Sequence, residues 1–411
     1  MPGTDSVEIR SLTADDVGEF IRITSAAFSD EPNPADAPYE EAILEPARLL
    51  AAFDDSAMVA TTGAFSFEMT VPGASAPVAG VTCVGVLPTY RRRGVLTRLM
   101  RHQLDDIRAR GEAVAALWAS EGSIYGRFGY GAAAWSAATE LDTRATAMRA
   151  DTRVADVRLR LVPSQDAAAL LAAPYDAART TRPGMFARNA AFWSRRMTDF
   201  EHRRHGGGPM FVVVAESGTD IVGYALYRVR QDWSTGSAAG TVDVRELVGA
   251  APDVEAALWR YLVSIDLVRK VEAWTRPVDD ALPALLSDSR QAKRKLSDNL
   301  WVRVVDVPRA LAQRRYAVPG HLVVEVTDDF CPWNTGRYAL DATGDSATCE
   351  PTTHDADLAL GAAELGAAYL GGTSLQSFVG AGRVTELTPG AVRRADALFR
   401  WTPAPWCPEV F

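Results

Sequence analysis

The sequence predicts a mixed α/β protein with more than one domain. The chain has 411 residues, which exceeds the length of one ordinary domain. Residues 81–130 follow the order strand, turn, helix, strand and short helix. Residues 211–274 repeat a similar order of strands and a helix, and a further set of strands and helices follows residue 300. The fold class predicted is therefore α/β (α+β), with two related units and a third unit of different order.

The composition and net charge of the sequence indicate which kinds of molecule the protein could bind. The sequence is 47% hydrophobic and 23% charged, as in an ordinary soluble globular protein. Lys and Arg number 43 against 52 Asp and Glu, and the net charge of −9 argues against nucleic acid and is compatible with a cationic substrate. No apolar run approaches the ~20 residues that span a membrane, and the first ten residues lack the pattern of a signal peptide.

Metal and disulfide chemistry are not indicated by the sequence. Its five histidines are scattered, and its cysteines show no spacing typical of a metal site. Unpaired cysteines fit a reducing compartment, so we expect a cytoplasmic protein without a metal. The four cysteines are Cys83, Cys331, Cys349 and Cys407.

A candidate anion site lies at the start of a predicted helix. The apolar run from Val81 to Val86 is followed by a turn and by Arg-Arg-Arg-Gly at residues 91–94. A glycine allows close approach of the backbone, and the first N–H groups of a helix have no partner within the helix. Together with the guanidinium groups they are suited to a diphosphate. By itself, such a basic helix start is more often only solvated.

Two motifs and the last residue of this sequence carry a resemblance to a known family. The first motif is Val84-x-Val86-x-Pro88-Thr89-x-Arg91-Arg92-Arg93-Gly94, and the second runs from Ala119 to Gly131 with Tyr125-Gly126-Arg127-Phe128-Gly129-Tyr130 at its centre. The sequence also ends in phenylalanine, Phe411. In these three features it resembles the Eis (enhanced intracellular survival) family of GCN5-related N-acetyltransferases. Leu96 departs from the wider superfamily, which has Gly or Ala there, although the Eis family accommodates a larger residue.

The resemblance covers the whole chain and implies its domain organisation. It implies an N-terminal acetyltransferase domain at 1–145, a degenerate central acetyltransferase-like domain at 146–295 and a sterol-carrier-like domain at 296–411. The central domain is expected to be structural, because residues 249–253 (Gly-Ala-Ala-Pro-Asp) contain no arginine and place a carboxylate near the helix start. A homohexamer is also implied by the resemblance alone.

Acetyl-CoA is the expected co-substrate, and twelve residues are expected to bind it. Backbone groups of residues 84–86 would contact the cofactor and the oxyanion, residues 91–97 the diphosphate, and residues 120–121 the closing side of the site. The twelve are Val84, Gly85, Val86, Arg91, Arg92, Arg93, Gly94, Val95, Leu96, Thr97, Ser120 and Glu121.

Two catalytic residues are predicted. Tyr125 is the expected general acid, because a phenol with a pKa near ~10 stays protonated at neutral pH and can donate to a thiolate. The general base implied by the resemblance is the terminal carboxylate of Phe411, on a tail rich in Trp and Pro. Tyr130 is expected only to pack. Cys83 lies near the expected thioester, where it could act as a nucleophile. A buried cysteine more often packs as a small hydrophobe, and that role is favoured here.

The acceptor side is less defined by the sequence. Val7–Arg10 is a predicted strand, residues 14–28 a helix, and Glu40–Phe53 a further helix. Phe65 and Phe67 on the predicted strands of residues 58–71 either line the pocket or belong to the core. Five acids could attract a cationic amine, or could be simply solvated: Asp30, Glu31, Asp36, Glu40 and Glu41.

The predicted function is acetyl-CoA-dependent N-acetylation of primary amines on cationic small molecules, for which the resemblance implies aminoglycosides. The alternative is a non-catalytic module for acyl-CoA, lipid or protein, built on a degenerate acetyltransferase scaffold. The intact basic turn and Tyr125 favour the enzyme.

Overall fold

The computed structural model describes residues 7–234, 236–344 and 346–411. The chain divides into two compact units, one formed by residues up to Ala134 together with Asn299–Phe411, and the other by Trp135–Asp298. The described residues form two seven-stranded sheets and one five-stranded sheet, with helices between the strands. The predicted mixed α/β fold class is confirmed.

Helices and strands follow in chain order. Up to Asp142 they are β1 (Val7–Ser11), α1 (Val17–Ala27), α2 (Ala37–Ile43), β2 (Leu50–Asp54), β3 (Ala57–Val71), β4 (Ala74–Val86), α3 (Val95–Ala109), β5 (Val114–Leu117), β6 (Gly131–Ala132) and β7 (Trp135–Asp142). Up to Asp298 they are β8 (Arg158–Val162), α4 (Ser164–Arg179), α5 (Ala190–Met197), β9 (Phe211–Ser217), β10 (Asp220–Arg230), β11 (Gly240–Gly249), α6 (Pro252–Val263), β12 (Val268–Pro277), α7 (Leu282–Leu285) and β13 (Lys293–Asp298). Thereafter they are β14 (Trp301–Val304), α8 (Val307–Ala312), β15 (Gly320–Thr327), β16 (Gly336–Ala342), β17 (Ala347–Pro351), β18 (Leu358–Gly361), α9 (Ala362–Ala368), α10 (Leu375–Gly380), β19 (Val384–Glu386) and α11 (Ala391–Phe399).

The first sheet has the strand order β1-β2-β3-β4-β5-β14-β6. Helix α3 buries Leu99, Met100, Leu104 and Ile107 on the face that its 3.6-residue periodicity predicts. Three of these side chains pack in one core cluster with strands β4 and β5, and Leu99 packs with β2 and β3. The helix that follows the basic turn is therefore fixed to the sheet along its length.

The predicted helix over Glu40–Phe53 is wrong beyond Ile43. The chain turns at Pro46 and continues as β2, which pairs with β1 on one side and β3 on the other. Residues Leu50–Phe53 are buried on both faces of the sheet, so their side chains form a continuous apolar run. Such a run does not distinguish a buried strand from a buried helix.

Strand β14 belongs to the first sheet, although the sequence placed Trp301–Val305 with the third unit. It runs antiparallel to β5 and to β6. Helix α9 then packs closely on both strands, since a Cβ on Gly131 would lie 1.9 Å from the Ala363 carbonyl oxygen and one on Gly366 2.2 Å from that of Val302. The C-terminal residues therefore complete and cover the edge of the first sheet. The domain borders at residues 145 and 295 stay predictions.

The third sheet has the order β17-β16-β15-β18-β19, in which only β15 and β18 are parallel. It belongs to the same compact unit as the first sheet. The segment between β15 and β16, residues 328–335, packs on α3 through cation–π contacts of Arg101 with Phe330 and of Arg108 with Trp333.

The second unit contains the sheet β13-β7-β12-β11-β10-β9-β8. Glu246 on β11 is fully buried and accepts hydrogen bonds from Arg188 (2.7 and 3.0 Å), Arg196 (2.6 Å) and the Tyr224 hydroxyl (2.5 Å). Burial alone would raise the pKa of Glu246, but the two guanidinium groups more than offset it and lower the pKa to about 2. The negative charge of Glu246 is therefore needed to stabilise two buried cations.

This cluster predicts a pH dependence of stability. Glu246 has a lower pKa folded than unfolded, so its contribution of about 3 kcal/mol is complete above its ordinary pKa of 4.5 and is lost as the pH falls towards 2. We expect Glu246→Gln to lower the free energy of unfolding at pH 7, measured by urea denaturation, and the difference from wild type to shrink between pH 4.5 and 2. The exposed pair Arg149–Asp151 supplies the control, Asp151→Asn, for which no change is expected. A Glu246→Gln deficit that stays constant over this range would contradict the assignment.

Candidate active site

The site is built around the separation of two parallel strands. Strands β4 and β5 pair only at Ala79 with Ala115 and at Gly80 with Ala116. Beyond these pairs β4 continues to Val86, whereas β5 ends at Leu117. The edge of β4 over residues 81–86 therefore has no neighbouring strand on this side within the described residues. The backbone N–H and C=O groups of this edge face an open wedge and, apart from the Val86 carbonyl oxygen, which accepts from Arg91, are within reach of a ligand there.

A bulge in β4 lies at the same level. The register with β3 shifts between the pairs Thr61–Gly85 and Gly63–Thr82, so residues 83 and 84 together lie opposite Thr62 and β4 contains one extra residue here. Cys83 has a φ of +53°, and its carbonyl oxygen accepts a hydrogen bond of 2.9 Å from the Thr61 hydroxyl. A positive φ at a non-glycine residue stores strain, which is common at functional sites. The Cys83 side chain packs with the α1 core cluster, which favours its role as a small hydrophobe.

Helix α3 begins at the open end of this wedge. Gly94 precedes it with a φ of +75°, a conformation that disfavours residues with a Cβ. No side chain caps the helix N-terminus, and its first turn contains no acidic residue. Its first N–H groups consequently remain available for an anionic ligand, with the positive end of the helix dipole behind them.

The three consecutive arginines have different roles. The Arg91 guanidinium donates to the carbonyl oxygens of Val86 (3.1 Å) and Ala27 (2.7 Å), and so ties the end of β4 to the end of α1. Arg92 is exposed with a φ of +61°, and Arg93 lies over the Tyr90 ring at 5.1 Å. Among the three, Arg92 is therefore the one whose side chain borders the wedge without a partner in the described part of the chain.

These elements enclose a cleft of about 640 Å³. It is lined by every predicted cofactor-binding residue except Arg93. The sequence missed five lining residues, which are Ala27, Phe28, Tyr90, Ile124 and Arg127. Ile124 and Arg127 flank Tyr125 in the motif and could have been included on that ground. Ala27 and Phe28 are brought in by tertiary packing of α1, for which the sequence gives no local signal.

Tyr125 begins a short 3₁₀ turn, Tyr125–Phe128, which follows β5. Its side chain is only 5% exposed, and burial followed by the nearby Glu121 carboxylate raises its pKa to about 12. It does not line the cleft itself, although Ile124 and Arg127 do. Because of this raised pKa the phenol stays protonated at neutral pH, and within the described residues no hydrogen bond engages its hydroxyl, which can therefore donate to a ligand.

Tyr130 is fully buried, and its ring lies edge-on to that of Tyr125 with 5.9 Å between centroids. Burial raises its pKa well above 10. This placement agrees with a packing role for Tyr130.

The tail that ends in Phe411 is held in place. Asn299 exchanges two hydrogen bonds with the backbone of Cys407, at 2.9 and 3.0 Å. The Phe411 ring lies edge-on to Phe67 at 5.1 Å and to Phe65 at 6.3 Å, and packs over Gly80, the last β4 residue paired with β5. The chain end is therefore ordered against the strand from which the wedge opens. Phe65 and Phe67 are buried in this contact.

None of the five acids predicted for the acceptor mouth lines the cleft. Asp36 is buried at the start of α2, whereas Asp30, Glu31 and Glu41 are exposed and Glu40 is partly exposed. The structure therefore does not bring these carboxylates together at the wedge.

Two parallel strands also separate in the second unit, but there the side chain of Arg276 occupies the space between them. Its parallel strands β11 and β12 pair up to Val244 and Ala273 and then diverge. Beyond this point the buried Arg276 side chain donates to the Leu247 carbonyl oxygen (2.5 Å), Asp280 (2.5 Å) and Glu255 (3.0 Å). Helix α6 also begins with Asp253 and Glu255 in its first turn. The guanidinium of Arg276 thus occupies the strand separation of the second unit, and the first turn of α6 is acidic, in contrast to that of α3.

No helix in the described ranges is both long and apolar enough to cross a membrane. No group of three or more His, Cys, Asp or Glu side chains in the same ranges is arranged to hold a metal ion.

Comparison with known proteins identifies all three parts of the chain. Residues 8–133 and residues 184–304 each match a model of an acetyltransferase (GNAT) domain, and residues 307–408 match that of a sterol carrier protein domain. The fold and the open cleft thus define a GCN5-related N-acetyltransferase with two domains of that fold and a sterol-carrier-like C-terminal domain.

Relatives narrow this class. The chain is 32% identical over 412 residues to the N-acetyltransferase Eis of Mycobacterium tuberculosis, covering 96% of this chain and 97% of that protein. An uncharacterized N-acetyltransferase of Streptomyces coelicolor is 47% identical over 356 residues, 86% of each chain. The crystal structure of Eis1 from Mycobacterium abscessus matches with a TM-score of 0.86 and 34% identity over 98% of this chain and 100% of that one. The chain therefore belongs to the Eis family of N-acetyltransferases.

Proposed function

We propose that the chain transfers the acetyl group of acetyl-CoA to primary amines of cationic small molecules of the aminoglycoside type. The observation that supports this best is the open wedge between β4 and β5, which leads to the uncapped N-terminus of α3. GNAT acetyltransferases use acetyl-CoA, whose thioester arm is slender and whose diphosphate is anionic. A slot lined by free backbone groups and an anion site at one end match these two parts of the cofactor.

In the proposed complex the cofactor occupies the cleft that eleven of the twelve predicted residues line. The diphosphate contacts the first N–H groups of α3, at residues 95–97, and the Arg92 guanidinium. The thioester arm follows Val84–Val86, whose backbone groups are not paired with β5. Arg91 acts indirectly, because its guanidinium is engaged by the carbonyl oxygens of Val86 and Ala27. Arg93, which does not line the cleft, makes no direct contact in this proposal.

The proposed reaction is direct acetyl transfer. The neutral amine attacks the thioester carbon, the carbonyl π electrons move to the oxygen, and the tetrahedral oxyanion is stabilised by the backbone N–H groups of β4. Its collapse breaks the C–S bond, and Tyr125 donates its phenolic proton to the departing thiolate. The general base accepts the proton that the ammonium loses before the attack and releases it to solvent, and the proton that the nitrogen loses after the attack replaces, through solvent, the proton on Tyr125. The products are the acetamide and free CoA.

The general base in this proposal is the terminal carboxylate of Phe411. Its support is the family resemblance and the packing of the Phe411 ring over Gly80, against Phe65 and Phe67. A primary amine has a pKa near ~10.4, so it must lose a proton before it can attack, and a carboxylate can accept that proton.

The remaining features of the proposal rest on the resemblance and on composition. A homohexamer is the expected assembly, and sedimentation equilibrium measures it directly. A cytoplasmic location fits the four cysteines, which form no disulfide among the described residues. The net charge of −9 favours cationic acceptors by long-range attraction. The non-catalytic alternative gains no support, because the relatives are named N-acetyltransferases.

Donor binding gives the first prediction here. Isothermal titration calorimetry is expected to find one CoA site per chain, because Arg276 occupies the strand separation of the second unit. Arg92→Gln is expected to raise the Kd about tenfold through loss of one charge-assisted contact. Arg22→Gln, which removes the same charge at an exposed pair with Glu19, should leave the Kd unchanged. Equal Kd values for the wild type and Arg92→Gln would remove Arg92 from the site.

Activity tests the proposal as a whole. Purified protein with acetyl-CoA and an aminoglycoside is expected to release free thiol, measured with a thiol-reactive dye. Tyr125→Phe removes only the donor oxygen, and we expect kcat to fall about 100-fold with the KM for acetyl-CoA unchanged. Tyr316→Phe, a buried tyrosine of the C-terminal residues, is the matched control. No thiol release over a panel of amines would refute the proposed function, and full activity of Tyr125→Phe would refute only its role as the acid.

The role of the terminal carboxylate has its own test. One glycine appended after Phe411 keeps the ring but converts its carboxylate to an amide and moves the charge away. We expect kcat at pH 7 to fall about 100-fold. Phe411→Leu keeps the carboxylate and an apolar side chain, and is expected to retain most activity. Wild-type kcat in the extended protein would exclude this carboxylate as the base.

A further inference from the structure

A fully buried arginine lies behind the turn that contains Tyr125. Arg303, on β14, is 0% exposed, and its Nη2 donates to both carboxylate oxygens of Asp328, at 2.8 and 2.6 Å. Its Nε and Nη1 are also buried and form no hydrogen bond of regular geometry in the described residues, although the Cys331 thiol lies close enough to the guanidinium to interact with it. One nitrogen thus forms the ion pair, while two remain on the side of the guanidinium away from it.

That other side faces the tyrosine turn. A Cβ built on Gly129 would lie 2.6 Å from Nη1, 2.7 Å from Cζ and 2.9 Å from Nε of Arg303. These three distances show that the guanidinium lies flat against the Gly129 backbone. Gly129 ends the Tyr125–Phe128 turn with a φ of +81°. Its N–H donates to the Gly126 carbonyl oxygen at 3.0 Å, and that of Tyr130 to the Tyr125 carbonyl oxygen at 3.3 Å.

Asp328 is itself fixed by the C-terminal residues. Its carboxylate accepts hydrogen bonds from the Cys331 N–H (2.8 Å) and from Asn334 Nδ2 (3.0 Å). Its own N–H donates to the Thr335 hydroxyl at 3.0 Å. The segment 328–335 meets the turn a second time, because the ring of Phe330 packs on that of Phe128 with 5.0 Å between centroids. The segment 328–335 therefore supports the turn directly at Phe128, and at Gly129 through Arg303, which Asp328 holds.

The buried pair of Arg303 and Asp328 is expected to contribute little to the free energy of folding. A buried ion pair gains about as much from attraction as it loses in desolvation, and replacing it with apolar side chains is often neutral or stabilising. Two further buried donors without a regular hydrogen bond add to this cost. A leucine or methionine at position 303 would fill the same space without these costs. The geometry thus suggests a purpose other than stability, namely fixing the position of a backbone turn.

We propose that Arg303 and Asp328 are positioning residues that hold the 125–130 turn so that the Tyr125 hydroxyl faces the thioester sulfur. This inference rests on the proposed function of the cleft and deepens it. The segment 328–335 thereby gives the sterol-carrier-like domain a part in the acid step of acetyl transfer. Neither residue touches the substrates. They act through Gly129, and a displacement of the phenol by about 1 Å is enough to lower the rate severalfold to a hundredfold.

The decisive variant removes both charges, because deleting one partner would leave the other buried and unpaired. Arg303→Met with Asp328→Asn keeps side chains of similar length at both positions. We expect kcat to fall about ten- to hundredfold, while the KM for acetyl-CoA changes less than about twofold. In a Tyr125→Phe background the same pair of substitutions is expected to cause no further loss, since the group it positions is already absent.

A matched control is available within the same unit. Arg48 and Glu112 form another buried ion pair, with Nη1 of Arg48 2.9 Å from Glu112 Oε1, and neither residue contacts the turn. Arg48→Met with Glu112→Gln is expected to keep wild-type kcat. Circular dichroism and urea unfolding establish that each variant is folded. If the Arg303 and Asp328 variant does not fold, Arg303→Lys, which keeps the charge but not the flat guanidinium, is tested in the same way and is expected to lose at least about threefold in kcat.

The outcomes separate the two proposals. A wild-type protein that releases no thiol refutes the proposed function. An active wild type whose Tyr125→Phe variant loses activity, together with a folded Arg303 and Asp328 variant of unchanged kcat, overturns only this inference. It is also overturned if the loss in kcat is as large in the Tyr125→Phe background as in the wild type, because a general structural defect would act equally in both.

Discussion

The structure of the site depends on the point where two parallel strands stop pairing. After Gly80 and Ala116 the chain leaves the backbone groups of β4 without the neighbour that a continuous sheet would provide. Such groups need a partner, and at this position a ligand can supply it. The opening is stabilised from the other side, since the Thr61 hydroxyl fixes the bulge at Cys83 and Arg91 fixes α1 to the end of β4.

The second unit shows what closes such an opening. There the strands also diverge, yet Arg276 donates to the free carbonyl oxygen of Leu247 and to two acids, and so satisfies the separated strand internally. Helix α3 has no acid in its first turn, whereas α6 begins with Asp253 and Glu255. The two units thus share a fold but differ in the side chains at the strand separation and in the first turn of the helix that follows it. Family membership of both domains alone would not reveal this difference.

Local patterns made part of the structure predictable. The helix after the basic turn followed from periodicity, and all but one of the predicted cofactor-binding residues line one cleft because they are close in sequence on elements of known direction. Long-range contacts were not predictable. The pairing of strand β14 with the first sheet could not be read from the sequence because its partner β5 lies far away in sequence, and the run Leu50–Phe53 resembled a helix because it is buried on both faces. The commitment of Arg91 to the Ala27 carbonyl likewise depends on where α1 packs.

The C-terminal residues reach the first domain at two places on either side of the strand separation. The tail places Phe411 over Gly80, where pairing between β4 and β5 ends, and the segment 328–335 supports the turn that follows β5. In the proposed reaction these are the positions of the base and of the acid. Direct transfer requires both proton transfers to be aligned with one thioester, and two groups on separate loops of a single domain would each have to be ordered independently. Anchoring both to one further domain, itself packed on β6 and β14 through Gly131 and Gly366, fixes their positions together. In this proposal the sterol-carrier-like fold contributes to catalysis through the geometry that it imposes on the cleft.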